Sequence, residues 1–182
     1  DWSSILGGSL HAAEHHYGVI AGGYNNTLSG NPIYGGAIVG GGDNQIGGNY
    51  GFIGGGRYNI LTSPYGAIGG GYGNQASPLL DGYNGVFSGA YNTAGHDYAT
   101  VLGGYGNSAI GYASAALGGY FSSSSGNYAL TMGYMVTASG PYSFAFGSNL
   151  EVAGDHSIAF GKGGMDATTK VSADNTMALV GL

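Results

Sequence analysis

The sequence predicts an all-β chain, a β-solenoid wound from units of 14–15 residues, on three observations. An apolar residue followed by glycine recurs along the whole chain. Every tyrosine falls at one of two places relative to that step. No segment carries the 3.6-residue apolar stripe of an amphipathic helix. The 182 residues read as one repeat domain.

The recurring step is Leu6-Gly7, Ala21-Gly22, Val39-Gly40, Ile53-Gly54, Ile68-Gly69, Leu102-Gly103, Leu117-Gly118, Met132-Gly133, Phe146-Gly147, Phe160-Gly161 and Val180-Gly181. Phe87-Ser88 fills the single gap, and about eleven turns result. Three longer intervals read as insertions into a fixed coil, near residues 30–36, 77–83 and 162–176. Each unit holds two short strands. The first precedes the glycine, as in Val19-Ile20-Ala21 or Phe144-Ala145-Phe146; the second is smaller and more polar, as in Thr27-Leu28-Ser29 or Thr137-Ala138-Ser139. Between them lies a Gly- and Asn-rich corner that carries Asn26, Asn44, Asn59, Asn74, Asn92 and Asn107. Gly and Asn tolerate the positive φ that a tight corner requires. The 41 glycines also exclude helix, since each would cost about 1 kcal/mol against alanine.

The 16 tyrosines support this register. One column is Tyr17, Tyr34, Tyr50, Tyr65, Tyr83, Tyr98, Tyr112, Tyr128 and Tyr142, with His156 in the next place; the other is Tyr24, Tyr58, Tyr72, Tyr91, Tyr105, Tyr120 and Tyr134. Turns stacked at about 4.8 Å would make each column a ladder of rings, on a rod roughly 50 Å long.

So thin a coil offers two or three inward apolar side chains per turn against backbone ordering of about 1–2 kcal/mol per residue. By strand alternation Ile20, Ile38, Phe52, Val86 and Val101 are expected to form a second, outward apolar face. That face needs a partner. Self-association about a symmetry axis is the economical answer, with glycine letting three backbones approach closely.

Composition excludes several functions. Charged residues are 7% of the chain, and Arg57, Lys162 and Lys170 are the only fixed cations, too few for nucleic-acid binding through a basic surface. With no cysteine there is no disulfide, thiolate metal site or cysteine nucleophile. No run of apolar residues is long enough to insert in a membrane as a helix. The opening Asp1-Trp2-Ser3-Ser4 has neither an initiator methionine nor a basic signal region, and is read as a processed product or a piece of a longer protein.

The chemical motifs are few. His11-Ala12-Ala13-Glu14-His15-His16 contains H-x-x-E-H, an inverted zincin signature that works only on a helix, and a solenoid unit of unchanged length leaves no room for one. His11, His15 and His16 are candidate ligands for a metal shared among three chains, against the plainer reading of polar residues on a terminal turn. Gly40-Gly41-Gly42 and Gly69-Gly70-Gly71 lack the Lys-Ser/Thr and the helix of a phosphate loop. Asp81, Asp97, Asp155 and Asp166 stand one per unit, so the calcium-binding G-G-x-G-x-D repeat is absent. No elbow supports Ser-His-Asp catalysis. The reading is a non-enzymatic chain without a cofactor.

Insertions in a solenoid bulge outward. Asn31, Pro32, Ile33 and Tyr34 in the first, and Pro78, Leu79, Leu80 and Asp81 in the second, are candidate contacts for a protein or saccharide, or else decorative loops. The third, from Lys162 to Thr176, is expected to close or cap the coil.

Tyr142-Ser143-Phe144-Ala145-Phe146-Gly147 and His156-Ser157-Ile158-Ala159-Phe160-Gly161, with Val136-Thr137-Ala138-Ser139-Gly140 and Val152-Ala153-Gly154, resemble the head repeat of trimeric autotransporter adhesins (YadA-like). The resemblance is closest over residues 99–161. Residues 5–98 are more Gly-rich, of the form I-x-G-G-G-Y-x-N, and match less tightly. Similar repeats occur in bacteriophage tail fibres and large secreted surface proteins. The resemblance implies a homotrimeric left-handed parallel β-roll, intertwined or side by side. It also implies display outside the cell, on a cell surface or a virion tail fibre, in contact with a host-surface protein or glycan, and no catalysis. The neck, coiled-coil stalk and anchor of an adhesin are not in this sequence, which leaves adhesin and phage fibre both open. Two other functions stand beside it. One is a structural shaft. The other is a solenoid that binds a crystalline surface such as ice, for which Thr27, Thr62, Thr93, Thr100, Thr131 and Thr137 look scattered.

Overall fold

A computed structural model describes residues 2–14, 16–30, 34–78, 81–163 and 168–181. Over these residues the chain is a parallel β-solenoid of about 11 turns with no helix. Two rows of short strands run its length. Ser4–Ile5, Val19–Ile20, Ala37–Ile38, Phe52–Ile53, Ala67–Ile68, Gly85–Val86 and Thr100–Val101 begin the first row. Ala12–Ala13, Thr27–Leu28, Gln45–Ile46, Ile60–Leu61, Gln75–Ala76, Thr93–Ala94 and Ser108–Ala109 begin the second.

Each strand pairs with its counterpart one turn away, Phe52 with Ala67 and Ile53 with Ile68 in the first row, Gln45 with Ile60 and Ile46 with Leu61 in the second. Toward the C-terminus the strands lengthen until Leu130–Ala138 and Phe144–Val152 each pass through both rows. Beyond Lys162, Thr169–Val171 and Met177–Val180 pair with the preceding turn and add one more strand to each row. The described part of the segment expected to cap the coil therefore continues it.

The interior is filled from both rows. Ile20, Ile38, Ile53, Ile68, Val86 and Val101 pack with Leu28, Ile46, Leu61, Ala76, Ala94 and Ala109 in one cluster. Complete burial of each branched side chain is worth about 1.5–3 kcal/mol. Here the outward-face expectation is corrected. Ile20, Ile38, Val86 and Val101 are at most 1% exposed and belong to the core; of that set only Phe52 lies outside. The single chain thus closes a core of its own.

What holds the turns in register is the corner between the rows. Gly23, Gly41, Gly56, Gly71, Gly89 and Gly104 have φ between 85° and 100°, and a Cβ on any of them would overlap the carbonyl oxygen of the glycine one turn on. The constrained glycine lies one or two residues beyond the one that defines the sequence step, which explains why Ser88 is tolerated beside Gly89. Just after it stands a buried asparagine. The Asn59 side-chain amide donates to the carbonyls of Gly55 and Gly71, at 3.0 and 3.1 Å. Its Oδ1 accepts the Asn74 backbone N–H at 3.0 Å, 15 residues on. The same bonds link Asn26, Asn44, Asn59, Asn74, Asn92 and Asn107. An unmet polar group there would cost about 1–3 kcal/mol, so the ladder neutralises a corner that water cannot reach.

The ladder has two ends. At the first turn His11 takes the asparagine place, its Nδ1 accepting the Asn26 N–H at 3.1 Å. At the other, Ser122 accepts no further asparagine; its N–H donates to Asn107 Oδ1, and Val136 and Leu150 fill the next two places, fully buried. The core divides at the same level. Ser124 and Thr131 bring their hydroxyls to 2.7 Å inside the coil, and a second apolar cluster built on Ala129, Val136, Ala138, Ala145, Leu150, Val152 and Ala159 begins beyond them.

Adjacent glycines make the test of the corner. Gly70 has only Gly55 backbone atoms, at 3.8 Å and beyond, near an added Cβ. Gly71→Ala should therefore destabilise the fold by about 3 kcal/mol, from overlap plus a left-handed backbone, while Gly70→Ala should stay within about 0.5 kcal/mol of the parent. Denaturant unfolding of the two variants measures the difference.

Candidate functional surfaces

With the interior assigned, strand alternation decides what each row shows to its surroundings. The outer side of the first row is apolar. Val39, Phe52, Phe87, Leu102, Met132 and Phe160 are all at least 40% exposed. No Asp, Glu, Lys or Arg interrupts the in-register series Val19, Ala37, Phe52, Ala67, Gly85, Thr100, Ala115, Leu130, Phe144 and Ile158. Where Ala67, Gly69 and Gly85 replace larger side chains, an open apolar groove of about 190 Å³ lies between Phe52 and Phe87.

The outer side of the second row differs in kind. Thr27, Gln45, Gln75, Thr93, Ser108, Ser123 and Thr137 stand in register there, followed by Glu151 and Lys170, whose Nζ donates to Glu151 Oε1 at 2.8 Å. Ala12 and Ile60 are the apolar members of the series, and Ile110 is exposed beside it. The threonines are thus less scattered than the sequence suggested. Thr27, Thr93 and Thr137 share the polar side, but glutamines and Ile60 separate them, Thr100 sits in the apolar series, and Thr131 is inside the core.

Tyrosines line the two edges where the rows are joined. Along the edge that leads back into the first row, β-turns such as Ser63-Pro64-Tyr65-Gly66 put tyrosine at positive φ, 54° for Tyr65. A left-handed tyrosine costs about 1–2 kcal/mol. Its N–H is held by the previous turn, at 2.8 Å from Asn49 O. Its ring stacks on both neighbours, Tyr50 at 5.3 Å and Tyr83 at 4.9 Å, contacts worth about 0.5–1.5 kcal/mol each. Where the rings lie face to face, from Tyr50 to Tyr98 and from Tyr128 to His156, the ring faces are occupied and the edges are left exposed. Between these runs Tyr112 meets Tyr98 and Tyr128 edge to face, at 5.5 Å each. Tyr34 and Tyr112 stand one residue before the positive-φ places held by Gly35 and Ala113.

The other edge is more varied. Tyr58, Tyr72, Tyr91 and Tyr105 meet edge to face at 5.4 Å, and Tyr105, Tyr120 and Tyr134 then stack. It also carries an ion pair, Arg57 Nε to Asp43 Oδ2 at 3.0 Å, with Arg57 over the Tyr58 ring. Hydrogen bonds from Asn25 and then Arg57 hold the Asp43 carboxyl below its ordinary range, and the Asp43 contact raises the Arg57 guanidinium.

The sequence candidates fall in several places. Asn31, Pro32, Ile33, Leu79, Leu80 and His15 lie outside the described residues. Tyr34 is exposed; its N–H donates to Asn49 Oδ1 at 2.8 Å and its ring stacks on His16 at 5.5 Å. Pro78 is half-buried. Asp81 is exposed, and its N–H donates to Asp97 Oδ1 at 3.0 Å, which also accepts Gly82 N–H. Asp97 is buried and anchors the described end of that insertion. His11 belongs to the corner ladder and His16 to the tyrosine edge, so these two candidate ligands occupy different columns. Among the described residues no group of three or more His, Asp or Glu is placed to hold a metal ion. Ala12–Ala13, inside the H-x-x-E-H motif, is a strand paired with Thr27–Leu28. No protein-family model and no curated protein matches the chain.

The Asp43 carboxyl should titrate below the ordinary aspartate range when followed by NMR, and should move up toward that range in Asn25→Ala and in Arg57→Gln. The sign is that of a depressed carboxylate: its contribution to stability is present above the unfolded value and is lost as pH falls through the folded one.

Proposed function

We propose that this chain is a non-enzymatic, extracellular fibre module that associates with two further copies of itself and contacts a host-surface protein or glycan. The observation that carries the reading is the contrast between the outer sides of the two rows: one apolar and free of charge, the other lined mainly with Thr, Ser and Gln and ending in the Glu151–Lys170 ion pair. Exposed apolar area of that extent is uncommon on a monomer and marks an association surface. Three copies turned inward on the apolar side would bury it and leave the polar side and both tyrosine edges outside. The sequence resemblance to YadA-like heads and phage tail fibres agrees with that arrangement.

A structural shaft is the second reading, and one feature favours it. The stacked tyrosines present edges, leaving few ring faces for a sugar to lie on, so contact with a glycan would fall to the insertions or to the polar side.

Light scattering tests the association. The parent should weigh three times one chain, and Phe87→Ser combined with Leu102→Ser should give a folded monomer, whereas Thr93→Ala with Ser108→Ala should leave the trimer intact. A folded monomeric parent would overturn the reading. Cell and glycan binding then separates the two functions. An adhesive module loses binding when Leu79 and Leu80 become serine, and a shaft shows no binding to lose.

A further inference from the structure

The tyrosine edge has a chemistry that self-association and adhesion leave unused. Tyr65 and Tyr83 sit on successive turns with ring centroids 4.9 Å apart and planes within 8° of parallel. Tyr128 and Tyr142 repeat the arrangement at 4.9 Å and 7°. Tyr50 and Tyr98 extend the first pair on either side, at 5.3 and 5.4 Å. All six share a φ of 54–60°, so the backbone presents their rings alike, and all are 43–56% exposed. Backbone bonds fix the register: Tyr65 N–H donates to Asn49 O at 2.8 Å and Tyr83 N–H to Pro64 O at 3.0 Å. Neighbouring phenols are therefore preorganised for reaction with one another and open to a reagent from solution. The chain has no cysteine to compete for an oxidant.

We propose that this column is a site of oxidative cross-linking, in which a haem-peroxidase-type one-electron oxidant fed by a hydroperoxide joins stacked phenols of successive turns as dityrosine. Each phenol gives up one electron and its hydroxyl proton. The two phenoxyl radicals form a carbon–carbon bond between the positions ortho to oxygen. Each of those carbons then releases its hydrogen as a proton while the oxygen regains one, which restores both aromatic rings. The two electrons and two protons removed overall reduce one hydroperoxide to its alcohol and water. The bridge closes the intervening loop covalently, as a disulfide does in chains that contain cysteine.

The experiment treats the folded chain with hydrogen peroxide and a haem peroxidase, follows dityrosine fluorescence, and maps cross-linked peptides by mass spectrometry. The expected product joins Tyr65 to Tyr83 and Tyr128 to Tyr142 within one chain, with loss of two hydrogen atoms per bridge. Tyr83→Phe keeps the ring in the stack but should abolish the first bridge and leave the second. The same treatment of urea-unfolded chain should lose both pairs. The proposal is overturned if folded chain gives no dityrosine under conditions that couple N-acetyltyrosine, if bridges form only between chains, or if unfolded chain yields the same pairs.

Discussion

At one corner of every early turn, the backbone of the next turn passes too close for any side chain to intervene. That close approach, between glycines such as Gly56, Gly71 and Gly89, sets the height of each turn and the phase of the next. Most of the molecule follows from it. Turns held at β-strand spacing bring like residues into register, so two-residue strands suffice, because each is one rung in a row and not a free-standing element. The corner would be untenable without the asparagine ladder, since the same crowding that excludes a Cβ also excludes water. The amide of Asn59 serves its own turn and the next in one geometry.

This polar spine outlasts the large apolar side chains of the core. Isoleucine and leucine fill the early turns, but from Ala94 on this cluster is built of Ala94, Ala99, Ala109 and Ala116, with Val101 as its one larger side chain. The asparagine ladder persists as far as Asn107, through the turns where the interior thins. Where it stops, at Ser122, compensation comes from Val136 and Leu150, which occupy the same corner as buried apolar residues beneath strands that run unbroken through both rows. The solenoid therefore has two regimes, one stabilised by corner amides and one by corner side chains and longer backbone pairing, with the Ser124–Thr131 hydroxyl pair between them.

How far this was legible in the sequence depends on what repetition can reveal. The turn count, the absence of helix, the two strands per unit and the tyrosine columns were readable because each recurs in nearly every unit. Phase was not. Val19-Ile20-Ala21 is apolar at three consecutive positions, and hydrophobicity does not say which member points inward; turn geometry places Ile20 inside and Val19 outside. The asparagines were recognisable as corner residues, but a corner former and a rung of a buried ladder look alike in one dimension. The telling signal is that Asn rather than Asp recurs, since only an amide both donates and accepts. His11 was weighed as a metal ligand because its role as the first member of that column shows only in three dimensions. Of the insertion candidates, Tyr34 and Asp81 have backbone N–H groups bonded to side chains of the following turn, Asn49 and Asp97.

Amide hydrogen exchange on the whole chain tests the spine most directly. The account predicts that the backbone N–H groups of Asn44, Asn59, Asn74, Asn92 and Asn107 are among the slowest to exchange, as slow as the core positions Ile53 and Ile68, although they lie in corners outside the strands. Fast exchange at those asparagines beside well-protected strands would contradict it, and would show that the corners are ordinary turns hung on an apolar core.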